Sequence, residues 1–179
     1  MSERIKRWLI VTIYVLFVYS TLYFVRPVCE FLKENTPFEQ IVNVILYASL
    51  FAVVLLIKKF FGLKSISTYI FLGLTTMIYL AGFALVDIPE EKIHFAEYGV
   101  LSILVFWALR YYSKHWHRYL AAFIMTSLIG LGDEVIQHFL PNRYYQISDV
   151  ILNAISGGLG LAWVYIVNYD KRLIHEKFN

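Results

Sequence analysis

With a single cysteine, Cys29, among its 179 residues, the chain can neither close a disulfide on itself nor build a cysteine-based metal cluster. Charge is scarce too: Asp, Glu, Lys and Arg make up 16% of the residues, where a soluble domain carries roughly 25%. No glycine-rich phosphate loop and no run of basic residues is present, which argues against a P-loop nucleotide site and against nucleic acid as a partner. No low-complexity stretch or composition break marks a linker, so residues 1–179 read as one domain.

What fills the chain instead is apolar. Hydrophobic residues account for 59% and the mean hydropathy is +0.61. A helix crosses the hydrocarbon layer with about twenty apolar residues. Six segments qualify: residues 8–25, 41–57, 66–86, 93–109, 119–139 and 147–167. The first follows a basic start, as a signal peptide would. Its apolar run is longer than a signal sequence needs and no small-residue cleavage site follows, so it reads as a retained span. The expected fold is an all-α integral membrane protein, a bundle of six transmembrane helices.

Lysine and arginine orient it, because cytoplasmic loops hold them. With six spans, twelve of the sixteen fall on one side: Arg4, Lys6, Arg7, Lys58, Lys59, Lys64, Arg110, Lys114, Arg118, Lys171, Arg172 and Lys177. Arg26, Lys33, Lys92 and Arg143 fall on the other. Both termini are therefore expected in the cytoplasm.

Polar residues interrupt the last three spans, and an ionisable group in a bilayer costs at least about 2.5 kcal/mol unless it meets a partner or water. His94 and Glu97 open the fourth span, Asp133, Glu134 and Gln137 close the fifth, and Asp149 and Asn153 open the sixth. All lie toward the same, extracytoplasmic end. Offsets of three or four residues put His94 with Glu97, Asp133 with Gln137, and Asp149 with Asn153 on shared helix faces. Below Asn153 that face continues as Ser156, Gly157 and Gly160, small enough for a neighbouring helix to approach closely. Asp133 and Glu134 are adjacent, about 100° apart around the helix, and are not expected to face one spot.

These groups have bland roles and chemical ones. Glu97, Asp133, Glu134 and His94 are the candidates for general acid or base chemistry, and equally for interhelical pairing. Arg143, in the loop LPNRYYQ, suits a carboxylate or phosphate, or serves as counter-ion to the acids. Asp149 and Asn153 suit hydrogen bonds between helices. A metal site built from His94, Glu97, Asp133, Glu134 and Asp149 follows no known ligand spacing, and neither metal nor cofactor is expected. The tyrosines and tryptophans read mostly as interfacial residues.

The segments EKIHFAEYGVL, from Glu91, and DEVIQHFLPNRYYQISDVILNAISGGLG, from Asp133, resemble the VanZ-like family of bacterial membrane proteins. The likeness covers about residues 87–163. It rests on Lys92, His94, Glu97 and Tyr98, then on Asp133, Glu134, Gln137, Phe139, Pro141, Arg143, Asp149, Asn153, Gly157 and Gly160. The resemblance implies a cell-envelope role at the bacterial plasma membrane, linked to teicoplanin resistance, and supplies no mechanism. The converging polar ends of the fourth, fifth and sixth spans are expected to enclose an outward-facing pocket for an anionic or peptide-bearing envelope component, such as a lipid-linked cell-wall precursor or a phospholipid head group. Lys92 and Arg143 are expected to touch anions, and Gln137 and Asn153 to give neutral hydrogen bonds. A membrane-embedded hydrolase or transferase is the alternative. A transporter or flippase fits least, because the inner halves of the spans carry no polar path.

Overall fold

The computed structural model describes residues 1–112, 116–140 and 145–177, with side chains described through Asp170. Every regular element among them is helical. The order is α1 (Glu3–Asn35), α2 (Phe38–Phe61), α3 (Ile66–Leu85), α4 (Pro89–Ala108), a 3-10 turn (Leu109–Tyr111), α5 (Trp116–His138) and α6 (Ile147–Lys177). Six helices among the described residues are long and apolar enough to cross a membrane.

Local chemistry sets most boundaries. Ser2 caps α1 by accepting from the Ile5 amide. The chain then stays helical through Pro27 and on to Asn35, well past the span expected to end near residue 25. Thirty-three residues at about 1.5 Å each are more than the ~30 Å hydrocarbon layer needs, which leaves extra turns past Pro27. There Arg26 pairs with Glu30, and Lys33 reaches α4. Gly62 ends α2 in the left-handed conformation (φ 55°), where a glycine costs least. Pro89 starts α4 with Glu90 and Glu91 in its first turn, the signs that suit a helix N-terminus.

The start of α3 is capped from a distance. Ser65 makes no side-chain cap. Instead the buried carboxylate of Asp170, on α6, accepts from the amides of Lys64 (3.3 Å) and Ser65 (3.1 Å) and from the Thr68 hydroxyl (3.0 Å). Asp170 thereby ties the end of the last span to the start of the third.

Helix α4 is central and touches each of the other five. Half of the apolar stretch of α4 and of α6 is buried inside the protein, against 17% of that of α1. Two apolar clusters flank the α4–α6 pair. One joins it to α2 and α3 through Leu46, Tyr79, Phe83, Phe95 and Trp163; the other joins it to α1 and α5 through Val11, Val105, Ala122 and Leu161. Large apolar side chains such as Phe17, Phe31, Phe51 and Phe71 point outward from α1 to α3, a surface suited to hydrocarbon and not to water.

The small residues anticipated on α6 are what allow the central contact. A methyl group at Gly160 would collide with the Gly99 carbonyl and the Ser102 hydroxyl of α4. Ser156 donates to the Phe95 carbonyl, and Tyr79 from α3 donates to the Ser156 carbonyl (3.3 Å). The two helices thus meet almost backbone to backbone, which fixes the relative height of their polar ends.

Candidate functional site

The first turns of α4 and α6 and the last turns of α5 converge at one end of the bundle. His94 Nδ1 lies 3.3 Å from Glu97 Oε2 and 3.7 Å from Asp133 Oδ2. Tyr98, one residue past Glu97, donates its hydroxyl to Asp133 Oδ2 at 2.8 Å. Gln137 donates one amide nitrogen to both Glu134 (3.1 Å) and Asp133 (3.4 Å). The far oxygen of Glu134 accepts from the backbone amide of Gln146 (3.2 Å), at the threshold of α6.

Six of the residues expected at the site therefore meet: His94, Glu97, Tyr98, Asp133, Glu134 and Gln137. Asp133 and Glu134 do so although they are adjacent. Gln137 sits four residues after one and three after the other, so a single amide spans the angle between them. Beyond that shared amide the described contacts differ: Asp133 meets Tyr98 and His94, and Glu134 meets the Gln146 amide.

Asn153 is buried beside the cluster, against Gly130 and near Tyr98; a methyl group at Gly130 would lie 3.1 Å from the Asn153 Cβ. Asp149 is peripheral. It is half-buried and accepts from Gln146 (3.4 Å) and Ser148 (3.2 Å), so Gln146 links it to Glu134. Lys92 is directed elsewhere: its buried ammonium donates to Asn43 on α2 at 2.9 Å. Arg143 lies outside the described residues.

The cluster is nearly sealed. Asp133 and Glu134 are at most 1% exposed, while His94 and Glu97 keep side-chain exposures of 13% and 21%. The His94 imidazole stands between Glu97 and Asp133. The site is acid-rich, with donors in Tyr98 and Gln137. Among the described residues no three His, Cys, Asp or Glu side chains are arranged to hold a metal ion.

Residues the sequence did not single out complete the surroundings. From α1, Tyr14 donates to the Glu97 carbonyl (3.1 Å) and Tyr19 to the Ile129 carbonyl (2.7 Å). These tyrosines work inside the bundle and not at a membrane interface. Their one signal is position: they stand in the middle of an apolar run, where an interfacial anchor has no place. Beside them, Gly132 leaves room for the Tyr19 hydroxyl, which a methyl group there would approach to 2.7 Å. Above the cluster, Lys33 of α1 holds buried Glu90 of α4 through both carboxylate oxygens (2.8 and 3.0 Å).

A model of the VanZ/LLP1 family matches residues 7–168. The chain belongs to the VanZ/LLP1 family. The match takes in all six spans, whereas the likeness legible in the motifs begins near residue 87. Tyr14 and Tyr19, the α1 partners of the cluster, fall inside it. No curated protein and no solved structure matches the chain.

Proposed function

We propose that this family member binds a peptide-bearing, amine-containing envelope component at the outer face of the bacterial plasma membrane. The observation that supports it is the gathering of Glu97, Asp133 and Glu134 around His94, Tyr98 and Gln137, with His94 and Glu97 still partly exposed. Carboxylates in a low-dielectric site attract a ligand ammonium and repel a phosphate. Of the two ligand classes implied by the motifs, the amine-bearing peptide therefore suits this site, with lipid-linked cell-wall precursors as the membrane-borne source. The strong bias of Lys and Arg to the opposite end supports an orientation with both termini cytoplasmic. A link to teicoplanin sensitivity follows if occupation of the site changes access of the drug to such precursors.

The test is binding of a synthetic lipid-linked precursor to the purified protein, with the stem-peptide amine either free or acetylated. Tight binding of the free amine and weak binding of the acetylated form supports the proposal; equal binding refutes it. A second reading, a hydrolase or transferase acting on a lipid head group, has one observation in its favour. His94 stands between two carboxylates, an arrangement that orients an imidazole for proton transfer. It predicts a new lipid product by mass spectrometry, lost in Glu97→Gln.

A further inference from the structure

Where α2 meets α4, at the same end of the bundle as the carboxylates, two side chains offer donors alone. Lys92, in the first turns of α4, is 6% exposed, and its ammonium donates to Asn43 Oδ1 on α2 at 2.9 Å. An ammonium has three N–H donors and no acceptor. That bond uses one of them, and among the described residues no carboxylate stands within ion-pair reach of Lys92. Glu90, the buried acid two residues back, is held through both oxygens by Lys33. The same bond settles which way the Asn43 amide points. Its oxygen faces the ammonium, so what it still offers is its NH2, which makes no hydrogen bond among the described residues. Two N–H groups of Lys92 and two of Asn43 thus lack an acceptor among the described residues.

A buried ammonium that faces a neutral amide is a costly arrangement, because no opposite charge offsets the hydration it has lost. Water would fill the hydrogen bonds and leave the charge unbalanced. An acceptor that carries negative charge does both, and four N–H groups match the several oxygens of a phosphate. Height in the bundle favours the same class. Lys92 stands one residue before the fourth apolar run and Asn43 near the start of the second, at the level where the polar head groups meet the hydrocarbon. We propose that Lys92 and Asn43 form an anion site for a phosphate group at the membrane surface. Lys92 and His94 are two residues apart, about 200° around α4, so this site and the carboxylate cluster use opposite faces of one helix. The inference does not rest on the amine-binding reading, and either outcome of the precursor experiment leaves it standing.

The test uses the full chain in a neutral detergent, stripped of lipid, and native mass spectrometry. The probes are phosphatidylglycerol, diacylglycerol with the same acyl chains, and inorganic phosphate. Phosphatidylglycerol is expected to bind about tenfold more tightly than diacylglycerol, the effect of one charge-assisted contact. Lys92→Met removes the charge and keeps the length of the side chain. Asn43→Asp supplies the missing counter-charge from within the protein. Both are expected to abolish the preference. Equal binding of the two lipids to the native chain overturns the proposal, as does a preference that survives in either variant. Displacement of the lipid by equimolar inorganic phosphate keeps the anion site and assigns it to the free ion; failure to displace it assigns the site to a lipid head group. Should Lys92→Met unfold, Asn43→Asp carries the test, since that change adds no bulk. Asn43→Asp is also expected to raise the melting temperature of the lipid-free chain, because it pairs the ammonium; a lower one would show that charge to be balanced already and overturn the proposal.

Discussion

Gly160→Ala places one methyl group where α6 crosses α4, and its effect can be worked from the contact. The new Cβ would overlap the Gly99 carbonyl, a backbone atom that no rotamer change removes, and the Ser102 hydroxyl. The helices must move apart by most of a methyl radius. Overpacking of this kind costs about 1–3 kcal/mol, and a backbone obstacle puts it at the upper end. Alanine's helix propensity returns at most ~1 kcal/mol. The net expectation is a loss of roughly 2 kcal/mol. Gly73 on α3 is the control, because a Cβ there meets nothing within 4 Å. Gly73→Ala should be neutral or stabilising. Apparent melting temperatures of the two variants in one detergent decide the matter. Separation of α4 from α6 would also disturb His94 and Asn153, so Gly160→Ala should weaken precursor binding while Gly73→Ala leaves it intact. Equal melting temperatures for both variants would refute the claim that α4 and α6 meet through their backbones.

Other expectations follow from single contacts. Asp133→Asn keeps the size of the side chain and an acceptor for Tyr98, but removes a fully buried carboxyl group. Loss of one member of a buried charged contact costs about 2–5 kcal/mol, so precursor affinity should fall at least about thirtyfold with little change in melting temperature; unchanged affinity counts against the site. Tyr98→Phe leaves that carboxylate oxygen short of a donor and should cost about 1 kcal/mol of stability. Asp170→Ala removes the remote cap of α3, and a fall of about 1–2 kcal/mol is expected by the same thermal assay. Reporter tags on the two ends should both register in the cytoplasm; tags on opposite faces would break the proposed orientation.

Part of this protein was legible in one dimension. An apolar run of about twenty residues has few fates besides a membrane span, so the number of helices is written in composition alone. So is the meeting of His94, Glu97, Asp133 and Gln137 near one end, because stranded polar groups in adjoining spans must find one another. The glycine and serine face of α6 likewise announces a close neighbour before that neighbour is known.

The tertiary structure decided which neighbour, and who meets whom. Nothing in the order of residues says that Gly160 faces Gly99, that Asp170 caps α3, that Tyr14 and Tyr19 from the first span reach the site, or that Lys92 turns to Asn43 and leaves the acids. The physical reason is the same in each case. Membrane insertion depends on the summed hydropathy of a segment, which is local, whereas hydrogen bonds and close packing depend on the rotation and height of helices far apart along the chain.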